Sequence, residues 1–225
     1  MLMVDNGELL ISSGEDTLQL FSQNNQVTIF HSFSPLKSLG IHVNERNEVL
    51  VGLTESYLLT VPTKDSMRRI VVLNQDGEIK HLFEYDNDNQ RLFTWPRRVI
   101  SYHDNVGIVD TLNCNWEGRI VVINLAGQLQ WIYTGCDTIN SNQCRFKPSD
   151  IAVTSTDMII ISDLFSHAIH ILNLYGEVIT CKEVKDMGIV LPLSLHVDKN
   201  GMLYIGCTAY KNTKEKPKIH AITLT

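Results

Sequence analysis

Two histidines are the first candidates for chemistry in this sequence. His42 and His196 occupy the same place in two similar segments, 38–43 and 192–197. Imidazole nitrogens bind zinc, and carboxylate or amide oxygens bind calcium, but either ion needs several such ligands that converge on one point. The corresponding places in the other similar segments hold Met3, Ile100 and Ala152. We therefore expect packing roles for both histidines, with no metal site and no cofactor.

Carboxylates and sequence signatures give little support for catalysis. Asp110 and Asp163 each end an apolar run and are candidate acids. The signatures of serine hydrolases, zinc proteases and nucleotide-binding enzymes, such as GxSxG, HExxH and GxGxxG, are missing. The sequence thus predicts no catalytic residue and a protein that is not an enzyme.

A repeated turn organises the chain. The segments 74–77 (NQDG), 124–127 (NLAG) and 173–176 (NLYG) each separate two short apolar runs, and 22–25 (SQNN) is a weaker copy. Asn or Ser at the first position can bind its own backbone two residues on, and Gly or Asn at the fourth tolerates positive φ. Each segment therefore predicts a hairpin. The turns recur about every fifty residues.

The residues before each turn repeat as well. The segment 148–153 (PSDIAV) aligns with 192–197 (PLSLHV), 96–101 (PRRVIS) and 38–43 (SLGIHV), and a second apolar strand follows each. The unit is thus four short antiparallel strands, which at this period indicates an all-β propeller. We expect one domain, 1–225, with blades at 1–33, 38–86, 96–134, 148–185 and 192–225, the last without its outer strand.

Within that frame the chain resembles the NHL-repeat propellers. The best match is the blade at 148–185, with P-S-D-I-A-V, I-I-I-S-D, I-H-I-L-N and G-E-V in order. The resemblance implies that Asp110 and Asp163 bind the loop at the end of their strand rather than a substrate. It also implies the C-terminal propeller of a tripartite-motif ubiquitin ligase, in which the propeller selects the substrate and a RING module, absent from this sequence, is catalytic.

Propellers of this family typically have six blades closed by an outer strand from the N-terminus. The five predicted blades, the last one incomplete, therefore predict an incomplete ring that an upstream segment of the same gene would complete. A tight ring of five blades is the alternative.

Positive charge is concentrated on one predicted face. Most of the 19 lysines and arginines fall in the loops between blades and between the second and third strands of a blade, and we call this face the top. Long loops on a rigid scaffold commonly bind partners, and Arg and Trp are common anchors. The predicted binding residues are Lys37, Arg68, Arg69, Trp95, Arg97, Arg98, Trp116, Arg145, Lys147, Lys211 and Lys214.

The partner predicted for this surface is a protein or peptide. RNA is the alternative, although acidic residues interrupt the positive patch that RNA binding requires. A metal-dependent propeller hydrolase or lyase ranks third. A merely solvated face is the simplest interpretation.

Composition sets the remaining bounds. The net charge is −6, and no apolar run is long enough to span a membrane. The five cysteines form no CxxC pair and no signal peptide is evident, so free thiols and a cytoplasmic location are expected. A disulfide between Cys136 and Cys144 is the alternative for those two residues.

Overall fold

The structure is a computed structural model, and it describes residues 2–3, 7–55, 62–210 and 216–223. Its strands form five antiparallel sheets, each made of consecutive strands. The first sheet contains β1 (Leu2–Met3), β2 (Leu9–Ser12), β3 (Thr17–Phe21) and β4 (Val27–Ser32). The second contains β5 (Lys37–Val43), β6 (Val49–Thr54), β7 (Arg68–Leu73) and β8 (Ile79–Phe83).

The other three sheets repeat this order. The third contains β9 (Trp95–Tyr102), β10 (Asn105–Thr111), β11 (Gly118–Asn124) and β12 (Leu129–Tyr133). The fourth contains β13 (Pro148–Val153), β14 (Ile159–Asp163), β15 (Ala168–Leu172) and β16 (Val178–Glu183). The fifth contains β17 (Pro192–Val197), β18 (Met202–Cys207) and β19 (Lys218–Thr223), and a short 3-10 helix, Lys185–Met187, precedes it.

The five sheets are the blades of an all-β propeller. They follow the predicted blades, except that the second and third sheets begin one residue earlier, at Lys37 and Trp95. The described residues form five blades rather than the six typical of the resembled family, and the fifth has three strands there. The incomplete ring stays a prediction.

The predicted turns are confirmed in atomic detail. The side-chain oxygen of Asn74 accepts hydrogen bonds from the backbone N–H groups of Asp76, at 3.0 Å, and Glu78, at 2.8 Å. Asn124 and Asn173 make the same pair of bonds two and four residues on. The fourth residue of each turn is a glycine with φ between 81° and 83°. The local sequence therefore determines these hairpins.

Burial follows the position of a strand in its blade. All residues of β6 and β14, which are second strands, are buried, whereas most residues of the outer strands β8 and β16 are exposed. Burying about 25 Å² of apolar surface contributes roughly 0.6 kcal/mol, so the inner strands supply most of the hydrophobic stabilisation.

The chain divides into two compact units. Unit 1 comprises Met1–Cys114 and Val121–Gln130, and unit 2 comprises Asn115–Ile120 and Trp131–Thr225. The core of unit 1 includes Leu50, Ile70 and Phe93, and the core of unit 2 includes Ile160, Leu203 and Ile205.

No helix in the described part of the chain is long and apolar enough to cross a membrane.

Candidate active site

Two glycines in unit 1 allow the third blade to approach the second closely. A Cβ atom on Gly40 would lie 2.4 Å from the carbonyl oxygen of Arg97, and one on Gly52 would lie 2.1 Å from that of Pro96. Real Cβ atoms do not come this near to backbone oxygens, so no other residue fits at either position without a backbone shift. Strand β9 therefore runs directly against β5 and β6.

This close approach brings a serine to a histidine. His42 Nε2 on β5 lies 3.1 Å from Ser101 Oγ on β9, within hydrogen-bond distance. Both residues are half-buried, so each keeps some exposed surface. A serine hydroxyl bonded to an imidazole is the arrangement of an activated nucleophile and its general base.

The protonation state of His42 suits the role of a base. Burial disfavours the imidazolium ion and lowers the pKa of His42 to about 4. The ring is thus neutral at pH 7, and one of its nitrogens can accept the serine proton. Sequence reasoning had placed His42 in packing, and the structure adds a side-chain partner.

Sequence reasoning missed Ser101. One signal was available: Ser101 directly follows Ile100, which occupies the place in its segment that His42 occupies in 38–43. The hydroxyl is a polar group in an otherwise apolar strand. Only the packing of β9 on β5, however, brings it to the imidazole.

His196, the second predicted histidine, lies in unit 2 on β17 and is exposed. Its ring is tilted against that of Tyr204, with 6.2 Å between the ring centroids. Nowhere in the described ranges do three or more His, Cys, Asp or Glu side chains gather where they could hold a metal ion.

Both predicted aspartates bind loops. Asp110 and Asp163 are fully buried. Asp110 Oδ1 accepts hydrogen bonds from the backbone N–H groups of Thr94, at 2.7 Å, and Trp95, at 2.8 Å. Asp163 accepts from the side chain of Asn140, at 2.8 Å, and from the N–H of Lys147, at 3.3 Å. The structural role that the resemblance implied is therefore confirmed for both.

Asp163 also belongs to a buried polar cluster. The Nε2 atom of His170 lies 3.7 Å from Asp163 Oδ2, and its Nδ1 atom lies 2.8 Å from the hydroxyl of Tyr133. Burial raises the pKa of the Asp163 carboxyl, but the interactions with His170 and Asn140 lower it by more, so the net shift is downward. The carboxylate is therefore ionised at neutral pH.

The structure corrects the prediction for Trp95. The sequence placed Trp95 in a loop as a binding anchor, but it is the first residue of β9 and is 0% exposed. The hydrogen bond from its backbone to Asp110 draws this part of the chain into the sheet. Arg97 and Arg98 are also strand residues of β9 and are half-buried.

The other basic residues predicted in unit 1 make local contacts. Lys37 Nζ lies 2.7 Å from Glu15, and the Arg69 guanidinium lies 2.7 Å from Glu84. Arg68 donates to the carbonyl oxygens of Phe93 and Thr63. These three side chains therefore serve the loops of their own unit.

The residues predicted in unit 2 are more exposed. Trp116 is 38% exposed, and Arg145 is exposed. Lys147 Nζ lies 5.0 Å from the ring centroid of Phe165, a cation–π contact. Lys211 and Lys214 lie outside the described residues.

Comparison with known proteins identifies the fold but no family. No family model matches the chain. No curated protein matches its sequence. Among solved structures, a protein of unknown function from Bacteroides caccae is 15% identical with a TM-score of 0.69, and the match covers 98% of this chain and 76% of that one.

Two of the similar structures are enzymes. A streptogramin B lyase is 15% identical with a TM-score of 0.63, covering 100% of this chain and 67% of the lyase. A gluconolactonase from Xanthomonas campestris is 14% identical with a TM-score of 0.61, covering 97% of this chain and 73% of the lactonase. At these identities the likeness shows the β-propeller fold; the NHL repeat and the tripartite motif are not shown by it.

These comparisons overturn the predicted function. The sequence suggested a non-catalytic module for protein or RNA binding and a protein that is not an enzyme. The solved propellers that resemble this chain include a lyase and a lactonase, so they favour the hydrolase or lyase class that sequence reasoning ranked third.

Proposed function

We propose that this chain is a propeller hydrolase that cleaves an ester bond, in a lactone or an open-chain ester. The observation that carries the proposal is the 3.1 Å contact between His42 Nε2 and Ser101 Oγ. The similar structures support it, since propellers with the same strand order include a lactonase and a lyase.

The pair would act through an acyl-serine. Ser101 Oγ attacks the carbonyl carbon while neutral His42 takes the hydroxyl proton, and the C–O bond of the ester then breaks. His42 gives that proton to the departing alkoxide, which leaves as an alcohol or, from a lactone, stays attached to the acyl group. Water, deprotonated by His42, then attacks the acyl-serine and releases the carboxylic acid.

The low pKa of His42 narrows the substrate class. A base with a pKa of about 4 is weaker than an ordinary imidazole, while its conjugate acid gives up a proton readily. Such a base suits substrates whose leaving group departs easily. Aryl esters and lactones with an electron-poor alkoxide are therefore the expected substrates.

The mechanism does not involve a metal ion. A metal-dependent propeller enzyme needs several ligands that converge on one point, and the described residues supply no such group.

The test is hydrolysis of p-nitrophenyl acetate and of a six-membered lactone by the purified chain. Ser101→Ala should lower kcat/KM by about 100-fold or more, because general-base catalysis at a nucleophile contributes that much. Ser13→Ala, at an exposed serine of the same unit, is the matched control and should keep the wild-type rate. Wild-type hydrolysis by Ser101→Ala, with equal urea stability, would refute the proposal.

The same experiment separates hydrolysis from elimination. A hydrolase should accumulate an acyl adduct on Ser101 when it is mixed rapidly with an aryl ester and analysed by mass spectrometry. A lyase would give an unsaturated product, would form no adduct and would depend on His42 alone.

A further inference from the structure

Cys136 lies in the loop between β12 and β13 of unit 2, and Asn140 fixes its position. The side-chain oxygen of Asn140 accepts the backbone N–H of Cys136 at 2.9 Å, and the N–H of Asn140 donates to the Cys136 carbonyl at 2.6 Å. The sulfur lies 3.0 Å from the hydroxyl of Thr138. Cys136 is half-buried, so a reagent from solvent can reach its sulfur.

Cys181 lies on β16, where it pairs with His170 of β15. Its sulfur is 3.3 Å from His170 Nδ1 and 3.6 Å from the hydroxyl of Tyr133. Cys181 is also half-buried. It therefore lies between the buried polar cluster and the surface of unit 2.

The two thiols are hydrogen-bonded to each other, and they differ in acidity. Burial raises the pKa of Cys136, but hydrogen bonds from Thr138 and Cys181 outweigh burial and lower it overall. Burial and the bond to Cys136 raise the pKa of Cys181 to about 12. One thiol thus ionises readily beside a second that keeps its proton, which is the division of labour between an attacking and a resolving cysteine.

We propose that Cys136 and Cys181 form a dithiol site for thiol–disulfide exchange with small-molecule disulfides of the glutathione disulfide class. The site is independent of His42 and Ser101. It is also an alternative to the Cys136–Cys144 pair that sequence spacing left open, because the sulfur of Cys144 lies 3.4 Å from the hydroxyl of Ser166 instead.

The exchange takes two balanced steps. The Cys136 thiolate attacks one sulfur of the disulfide, whose S–S bond breaks, and the departing thiolate takes a proton from water. Cys181 then gives its proton to His170 Nδ1 and attacks the sulfur of Cys136. A second thiolate leaves and is protonated by His170, so one disulfide of the substrate is exchanged for one in the protein.

Asp163 is a positioning residue for both cysteines. Through Asn140 it holds the backbone of the loop that carries Cys136, and through His170 it orients the imidazole beside Cys181. A carboxylate placed between two such partners can keep the sulfur atoms in register without contacting either.

The test exposes the reduced full-length chain to buffers with rising ratios of oxidised to reduced glutathione. Free thiols are then blocked with iodoacetamide, and tryptic peptides are mapped by mass spectrometry. The expected product is a linked peptide pair that contains Cys136 and Cys181, while Cys114 and Cys144 remain alkylated. A Cys136–Cys144 link, or mixed disulfides with no internal link, would overturn the proposal.

Variants make the order of the steps visible. Cys181→Ser should trap one glutathione on Cys136, and Cys136→Ser should lower the rate of disulfide formation by roughly tenfold or more. Cys144→Ser, in the same loop, is the matched control and should behave like wild type. Equal reaction of Cys136→Ser and wild type would contradict the assignment of the attacking sulfur, and none of these readouts depends on ester hydrolysis.

Discussion

Asp110 in unit 1 and Asp163 in unit 2 occupy the same place in their blades, at the end of the second strand, and both are fully buried. Their surroundings differ. The oxygen of Asp110 binds two consecutive backbone N–H groups at the start of β9, whereas Asp163 binds a side chain from a long loop and faces an imidazole. The repeat thus provides a buried carboxylate, and the residues around it decide what the carboxylate does.

One substitution between the repeats accounts for much of this difference. Counting back three residues from the turn asparagines Asn124 and Asn173 gives Val121 in one blade and His170 in the other. Both side chains are fully buried. Where the third strand carries valine, the region is apolar, and where it carries histidine, Tyr133, Cys181 and Asp163 gather around the ring.

The largest effect should come from removal of either carboxylate. Asp110→Ala and Asp163→Ala each leave buried donors without a partner, and each should lower the free energy of unfolding by about 3 kcal/mol. Asp76→Ala, in an exposed turn, is the control and should change it by less than about 0.5 kcal/mol. Urea unfolding measures all three. Only Asp163→Ala should also change the rate at which iodoacetamide modifies Cys136; an equal change in Asp110→Ala would remove the contrast between the units.

A smaller effect should follow when unit 2 is made to resemble unit 1. His170→Val leaves the buried hydroxyl of Tyr133 without its closest partner, and we expect a loss of about 1–2 kcal/mol in urea unfolding. Adding Tyr133→Phe removes that hydroxyl and should recover part of the loss. If the double variant is less stable than the two single losses combined, the polar cluster is not the source of the difference.

The pH dependence of stability should separate Asp163 from its amide analogue. Because the pKa of Asp163 is lowered in the folded chain, its stabilising contribution is complete above the pKa of an aspartate in the unfolded chain, near 4. It is lost as the pH falls through the folded value. The stability gap between wild type and Asp163→Asn should therefore shrink between about pH 6 and about pH 3. A constant gap would show that ionisation of Asp163 does not stabilise the fold.

The smallest effect concerns His42. Since the imidazole acts as a base only when it is neutral, and its pKa is about 4, ester hydrolysis should be constant from about pH 8 to pH 6 and should fall to half near pH 4. Initial rates in buffers of equal ionic strength would show this. A fall centred near pH 6.5, the ordinary value for histidine, would assign the base to another residue.

The sequence predicted the blades well because their signals are local. Each turn asparagine binds backbone within its own five residues, so the hairpins could be placed without any knowledge of the fold. The start of β9 was missed because Trp95 joins the sheet through Asp110, which lies fifteen residues further along the chain.

The candidate sites depend on longer-range packing. His42 and Ser101 are 59 residues apart and meet because Gly40 and Gly52 leave space for β9. Cys136 and Cys181 lie in different segments of unit 2, and spacing alone suggested Cys144 as the partner of Cys136 instead. Propensity and repeat pattern contain no information on either pairing.

The repeated turn also has a consequence for how the chain acquires its structure. The loop closed by Asn74, Asn124 or Asn173 spans five residues and satisfies its own polar groups. Contacts between residues so near in sequence form early and cost little chain entropy. Each blade thus has a hairpin that can form before the sheets pack, and such a turn could be exchanged between blades as an interchangeable part without redesign of the strands around it.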